Sequence, residues 1–464
     1  MLACLTEENP VPSKTLRLLA LALILAFAPG NAQQASPDPT ALLRSGPMLG
    51  PAEMTETSVW LQTTRPCRVQ VRFWEEGKPE TARLSPEIAT ADASDRIAKI
   101  RLSGLRFGTR YEYEVYLDGL RVPRSYPLTF QTQAVWRWRT DPPDFRMATG
   151  SCAYINEPPY DRPGDPYGGG YEIFRAIAAT QPDFMLWLGD NVYYREADWT
   201  TEAGMRHRYA HDRSLPEMQP LLGAAHSYAI WDDHDFGANN SDRTFRDREA
   251  SLRVFADYWM NPTYGLPEAP GVFTSFSWSD VDFFLLDDRY HRSPNDWPEG
   301  PDKRMFGRVQ LDWLKESLRS SSATFKVVAG GNQFWNPLVD YEGFGKFPAE
   351  QKELLDFLRD ARIEGVVFLS GDRHHTELIK RMEPGLYPLY EFTSSPLTSG
   401  THKGDQEKDN PARVSGTWVT EARNFGLIEV TGKPEERVLR MRTLDAQGKE
   451  LWRYEVREGE LRFP

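Results

Sequence analysis

The chain has 464 residues, beyond the size at which one hydrophobic core keeps growing, so two domains are expected. Forty per cent of the residues are hydrophobic and 12% aromatic, with no long polar tract, which excludes a largely disordered protein. A formal charge of −12 without any Lys/Arg run excludes a nucleic-acid scaffold-binding role, because that needs clustered cations to displace counterions. For an anionic substrate, positive charge must be brought locally, by metals or single arginines.

Residues 1–32 read as a signal peptide. Lys14 and Arg17 precede an apolar stretch over residues 18–28, and Pro29-Gly30-Asn31-Ala32 follows. The stretch is about half of what a membrane-spanning helix needs, so cleavage is expected rather than retention as an anchor. Glu7, Glu8, Lys14 and Arg17 cancel, and the mature chain keeps its charge. Nothing later is apolar enough to span a bilayer; a secreted or periplasmic monomer with no stable membrane span is expected.

Residues 40–135 carry β signals only. Ser58-Val59-Trp60-Leu61 is followed by Val69, Val71 and Phe73 alternating with polar residues, then by residues 97–102. Leu105-Arg106-Phe107-Gly108-Thr109-Arg110-Tyr111 leads into Tyr111, Tyr113 and Val115 at period two, which resembles the tyrosine-corner entry to a late strand of a fibronectin/Ig-like β-sandwich. Cys67 lies in one alternating run and reads as a small core hydrophobe. Export permits a disulfide to Cys152, but the two contexts argue against it. Asp141-Pro142-Pro143-Asp144 marks residues 136–144 as a linker.

From residue 145 to 464 the grammar becomes α/β. Residues 145–148 form a short strand running into Gly150-Ser151-Cys152, and residues 171–180 have helical spacing. Phe184-Met185-Leu186-Trp187-Leu188 is a doubly buried strand ending at Gly189-Asp190-Asn191. The same pattern recurs where residues 228–231 meet Asp232-Asp233-His234-Asp235, residues 325–329 meet Gly330-Gly331-Asn332-Gln333, and residues 366–369 meet Ser370-Gly371-Asp372-Arg373-His374-His375. Helices are predicted at 248–260, 308–319 and 349–361, and β alternation returns over 425–457. Residues 157–170, 292–306 and 395–415 read as surface loops. Alternating strand, polar loop and helix gathers the loops at strand C-termini, where sites are built.

Those ends carry metal-ligand residue types. Asp190, Asp233 and Asp372 cannot all ionise close together without cations, while His374 offers an imidazole and Cys152 a thiolate. A single Asp after a strand is often a cap or turn former. Four such strand ends in one domain are poorly explained as four independent caps.

Gly150-Ser151-Cys152, Leu188-Gly189-Asp190-Asn191-Val192-Tyr193, Trp231-Asp232-Asp233-His234-Asp235, Leu286-Asp287-Asp288-Arg289 and Ser370-Gly371-Asp372-Arg373-His374 resemble the motif series of the PhoD-like alkaline phosphatases, a branch of the calcineurin-like metallophosphoesterases. The resemblance covers residues 145–460. It implies a four-layer αββα sandwich holding Fe3+ and Ca2+, although the donors also suit other divalent metals. Cys152, Asp190, Tyr193 and His374 match the iron ligands; Asp190 as a bridge, Asp233 and Asp372 match the calcium-facing positions. Only the family spacing selects Tyr193 over Tyr194; a buried hydrogen-bonded tyrosine and an inert core thiol at Cys152 stay open.

Arg289 matches a residue that grips two phosphate oxygens, the alternative being an ion pair with Asp287 or Asp288. His234 matches the position that stabilises pentavalent phosphorus or protonates the leaving alkoxide. Asn332 and Gln333 are candidates for supporting contacts, and His375 for a neighbour without a direct role. His207, His211, His226, His291 and His402 read as solvated or structural. The implied chemistry is in-line displacement at a phosphate ester by a metal-bound hydroxide. Two departures stand out: Lys14 and Arg17 do not form a twin-arginine signal, and Asp235 stands where Glu is more familiar, a change expected around the ligands more than in the reaction.

The expected activity is hydrolysis of phosphate monoesters, diesters or both. The alternatives are a dedicated phosphodiesterase acting on lipid head groups, cell-wall polymers or nucleotides, and a non-catalytic surface-binding protein that merely holds metal.

Overall fold

Two β-sheets lie face to face at the centre of the computed structural model, which describes residues 38–338 and 341–463; the signal-peptide reading of residues 1–32 lies outside them. The first sheet has nine strands in the order Glu450–Arg457, Val438–Asp445, Asn424–Thr431, Phe145–Gly150, Phe184–Leu188, His226–Ile230, Leu43–Leu49, Glu56–Thr63 and Ile97–Ser103. The second has six, in the order Thr274–Trp278, Val281–Leu285, Phe325–Ala329, Val366–Ser370, Leu389–Thr393 and Glu377–Arg381. Phe184–Leu188 and Val366–Ser370 are buried at every position, as unbroken apolar runs require of strands covered on both faces. Phe184 meets Phe276 and Phe283 of the opposite sheet at ring-centroid separations of 5.6 and 5.4 Å, so the main core fills the space between the sheets.

Helices cover the outer faces. Phe174 of Ile173–Ala179 and Phe255 of Arg248–Tyr258 pack on Trp187 and Trp231 at the back of the first sheet. Trp313 of Arg308–Ser320 packs on Phe284 of the second, and Pro348–Asp360 buries Leu354, Leu355 and Leu358. The result is the expected αββα order. The helix Glu202–Arg213 escapes the periodicity reading because its buried side is partly ionic: Met205, Arg208, Tyr209 and Asp212 share it, and Arg208 pairs with Asp198 at 2.9 Å and with Asp212 at 3.5 Å.

Residues 40–135 build two β layers around Val59, Leu61, Val71, Ile100, Tyr113 and Phe130. One layer, Leu43–Leu49, Glu56–Thr63 and Ile97–Ser103, is the edge of the nine-stranded sheet, joined to it where Leu49 pairs in parallel with His226. The other contains Arg68–Glu75 and Arg110–Leu117 with four short strands. The Tyr111 hydroxyl accepts a hydrogen bond from the Arg106 amide at 2.8 Å. Across the seam, Tyr113 donates to the Gly223 carbonyl at 2.8 Å and His226 Nδ1 to that of Gly50 at 2.7 Å. Cys67 and Cys152 are both buried and free. Buried Arg437 reaches Asp144 at 2.8 Å, the Pro143 carbonyl at 3.2 Å and Asp280 at 2.7 Å, which clamps the proline-rich passage. Among the described residues no helix is long and apolar enough to cross a membrane.

Candidate functional site

The parallel strands Phe145–Gly150, Phe184–Leu188 and His226–Ile230 of one sheet and Val281–Leu285, Phe325–Ala329 and Val366–Ser370 of the other all deliver their following loops to one end of the sandwich. The loops interlock through main-chain bonds: Cys152 N–H to the Gly189 carbonyl at 3.3 Å, Ala153 N–H to that of Asp190 at 2.8 Å, and Gly371 N–H to that of Gly331 at 2.8 Å. Glycine is required here by close approach. A Cβ on Gly189, whose φ is +91°, would come within 2.7 Å of the Asp232 Cβ, and one on Gly371 within 2.6 Å of Ser151.

Cys152, Asp190, Asp372 and His374 have φ values of 61°, 50°, 65° and 55°. Left-handed backbone at a residue with a side chain costs on the order of 1–3 kcal/mol and persists where surrounding structure fixes it, commonly at functional sites. The conformation turns these side chains inward. Donor atoms of Cys152, Asp190 and His374 lie within 4.8 Å of one another, as do those of Asp190, Asp233 and His234. Asp190 belongs to both groups. Asp190, Asp233, His234 and His374 line a cavity of about 650 Å³, and Cys152 is fully buried beside them.

The donor chemistry fits cations. Burial first, then Asp233 and Cys152, pushes the Asp190 carboxyl well above the carboxylate range. Burial raises the Cys152 thiol to about 12 and Asp372 to about 7. Without a compensating positive charge such a cluster must hold protons; polyvalent cations replace them. Asp233 Oδ1 is buried without a hydrogen-bond partner, although Oδ2 accepts from the Asn240 amide at 2.6 Å. His374 is prepared as a ligand: Nδ1 donates to the Gly400 carbonyl at 2.6 Å, leaving Nε2 facing Tyr193 at 3.1 Å, and burial lowers its pKa to about 3, so the ring is neutral.

Between the two tyrosines left open by sequence, Tyr193 faces the cluster. The Tyr194 hydroxyl has no partner there, and its ring lies beside Tyr209 instead. Asp372 lines the cavity, but its carboxylate belongs to neither close group, where His234 occupies the third place. Arg289 differs most from expectation. Its guanidinium is fully buried, with Nε donating to Asp232 at 2.5 Å and both terminal nitrogens on Glu342, at 3.2 and 2.6 Å. Asp288 stands 3.9 Å away. The donors that were to grip phosphate are taken by carboxylates, and Glu342, not Arg289, lines the cavity.

Supporting residues do specific work. Asp235 accepts from the amides of Asp232 at 2.7 Å, Asp190 at 3.3 Å and Asn191 at 3.1 Å, and from Asn191 Nδ2 at 2.6 Å. Asn332 Nδ2 donates to Asp232, and Gln333 Nε2 to Glu377 at 2.9 Å. His375, Glu377 and Glu407 form another close cluster. Arg413 at 2.6 Å from Glu377, and Arg373 on Glu407, neutralise both carboxylates, so it is an internal ion network.

Some contacts escaped the sequence reading. Tyr167 lies 3.2 Å from His374 Nδ1, Ser395 Oγ donates to Cys152 Sγ at 3.2 Å, and the His402 ring stands 4.5 Å from that of His374. Residues 395–399, expected at the surface, are buried beneath the cluster. No periodicity marks such loop residues; only their Pro, Gly and polar surroundings flagged the segments. His226 is structural, as expected, held at the seam by donating from Nδ1 to the Gly50 carbonyl and accepting at Nε2 from the Gln131 amide at 3.4 Å.

A two-sheet αββα sandwich with mixed Cys, Asp and His donors at strand ends is a metallophosphoesterase-like fold. Residues 147–438 match the PhoD-like phosphatase family, and residues 40–135 match a domain of unknown function (DUF7800). The chain belongs to the PhoD-like phosphatase family. It is 22% identical over 361 residues to alkaline phosphatase D of Bacillus subtilis (strain 168), covering 64% of this chain and 60% of that protein. Two solved structures share the fold. The structure of PhoD has a TM-score of 0.72 at 17% identity over 88% of each chain. Purple acid phosphatase PPD1 from yellow lupin (Lupinus luteus) seeds has 0.61 at 11% identity, over 89% of this chain and 74% of that one.

Proposed function

We propose that this protein is a metal-dependent phosphoesterase acting on phosphate monoesters, diesters or both. The observation that carries the reading is the pair of donor groups sharing Asp190 at the floor of one cavity. Cys152, Asp190, Tyr193 and His374 would hold a transition metal such as Fe3+, and Asp190, Asp233 and Asp372 a hard cation such as Ca2+, a division that follows thiolate, phenolate and imidazole against carboxylate softness. Bound there, cations supply Lewis acidity toward phosphate and lower the pKa of water.

The chain's own residues do the rest. Gly400 fixes the His374 tautomer, and Asp235 holds the Asp190 and Asp232 loops. His234, at the cavity wall with its amide bonded to Asp190 at 3.2 Å, is placed to hand a proton to the leaving alkoxide. Arg289 acts as the buried counter-charge of Glu342, holding that carboxyl below its usual range against the opposing effect of burial, while burial keeps the Asp232 carboxyl well above its own.

A fibronectin/Ig-like identity for residues 40–135 is supported by the Tyr111–Arg106 hydrogen bond. With residues 145–464 as the catalytic domain, the sandwich serves as a rigid flank of the catalytic sheet. We read the protein as a monomer exported to the secreted or periplasmic space, where enzymes of this family characteristically act. The test is hydrolysis of a monoester and a diester side by side by wild type and Asp190→Ala, with metal content measured and folding checked by circular dichroism. Loss of both activities in a folded variant is expected; full activity in Asp190→Ala would overturn the reading.

A further inference from the structure

A second cleft, of about 680 Å³, adjoins the metal cavity on the other side of Tyr167, His234 and Asn239, which line both. Its inner wall is a chain of rings. His234 packs at a tilt against Tyr193 with centroids 4.2 Å apart, Tyr193 at a tilt against Tyr154 at 5.1 Å, and Tyr154 edge-to-face against Tyr167 at 5.0 Å. Tyr160 and Trp199 stand farther along the cleft, Tyr160 exposed and Trp199 half-buried. The wall is held rigid from beneath: the Arg195 guanidinium lies 3.8 Å from the Tyr154 ring centroid and pairs with Asp161 at 2.8 Å, while the Tyr154 hydroxyl donates to Asp161 at 2.9 Å.

We propose that this cleft receives the alcohol portion of the ester, and that it selects alcohols bearing a flat ring without further negative charge, such as a nucleoside or aryl group. The inference rests on the phosphoesterase reading of the adjoining cavity. His234 marks the direction, because the residue beside the departing oxygen also borders the cleft into which the attached carbon skeleton would extend. Pre-set aromatic faces favour stacking, which is tolerant of ring identity. Charge disfavours a second phosphate. Arg195 is spent on Asp161, Arg162 lies 3.8 Å from Glu196, and Asp165 adds a carboxylate. The cleft's volume falls within the range of small-molecule sites.

Tyr160→Ala and Trp199→Leu remove ring faces without touching the metal-holding residues. The experiment compares kcat/KM of wild type and both variants on p-nitrophenyl phosphate, adenosine 5′-monophosphate and glycerol 3-phosphate, with adenosine and glycerol binding measured by calorimetry. A loss of roughly tenfold on both ring substrates, with glycerol 3-phosphate within about twofold, is expected; tenfold is about 1.4 kcal/mol, the upper end of what one aromatic contact contributes. Equal losses on all three, or none, overturn the inference while leaving the phosphoesterase reading intact. If the metal-loaded wild type hydrolyses nothing yet binds adenosine through Tyr160, the cleft stands and the hydrolase reading falls. Failure to bind adenosine in an inactive protein overturns both.

Discussion

Replacing Asp235 by Asn separates the positioning of the metal loops from the stability of the fold. The carboxylate uses four hydrogen bonds to hold Asp190, Asn191 and Asp232, and an amide turns two of those acceptor sites into an NH2 group facing donors. Leaving two buried donors unmatched costs about 2–6 kcal/mol. Against this, burial pushes the Asp235 carboxyl from 3.8 to about 7 even though backbone amides favour its ionised form. The Asn variant escapes that penalty, roughly 4 kcal/mol above pH 7. The two nearly cancel, so Tm should move by only a few degrees. The left-handed backbone of Asp190 loses its anchor, however, and metal affinity should fall by about 10–100-fold, the usual effect of removing an outer partner of a ligand. The assay is elemental analysis after equilibration against graded chelator, beside a thermal melt. Metal retention equal to wild type would refute the reasoning; a collapse of Tm with retained affinity would refute the cancellation.

The Cys152 thiol, raised to about 12 by burial, must lose its proton to bind metal. Apparent affinity should therefore rise by roughly tenfold per pH unit between pH 6 and 8, and chelator competition at both values should find a weaker dependence in Cys152→Ala. Glu342→Ala strands the buried guanidinia of Arg289 and Arg292, which lie 2.6 and 3.2 Å from it; a loss of about 3–5 kcal/mol in denaturant unfolding is expected, and a change below 1 kcal/mol would show the network is dispensable. Burial holds His226 at about 4, against 6.5 for the free side chain. Between those values the unfolded chain binds the extra proton, so stability falls as pH drops from 6.5 to 4, by about 3 kcal/mol in all. Unfolding curves of wild type and His226→Gln across that window should diverge by this amount, and parallel curves would refute it.

Much of the fold was legible because its signals are local. The apolar runs at 184–188 and 325–329 correspond to strands with those same bounds, and all four helices read from spacing differ from the observed bounds by at most two residues at either end. A helix whose buried stripe includes Arg208 and Asp212 carries no such signal, because its charges are satisfied by partners distant in sequence. The same limit applied to Arg289: as a residue type it suits phosphate, and nothing nearby in the chain announces that Glu342 fills its donors.

Sequence by itself determined the residue types at the strand ends, since a doubly buried strand must stop where polar residues begin, and it placed Cys152, Asp190, Asp233 and His374 in the segments that follow those strands. Tertiary structure alone decided which of them share a space. Two sheets, each closed by hydrogen bonds among its own strands, face one another, and only that stacking brings His374 from one to Cys152 and Asp190 from the other. It also turned Tyr193 inward and Tyr194 away, and brought a loop tyrosine from residues 157–170 against the His374 ring. Such choices depend on distances between segments hundreds of residues apart, which no local periodicity encodes.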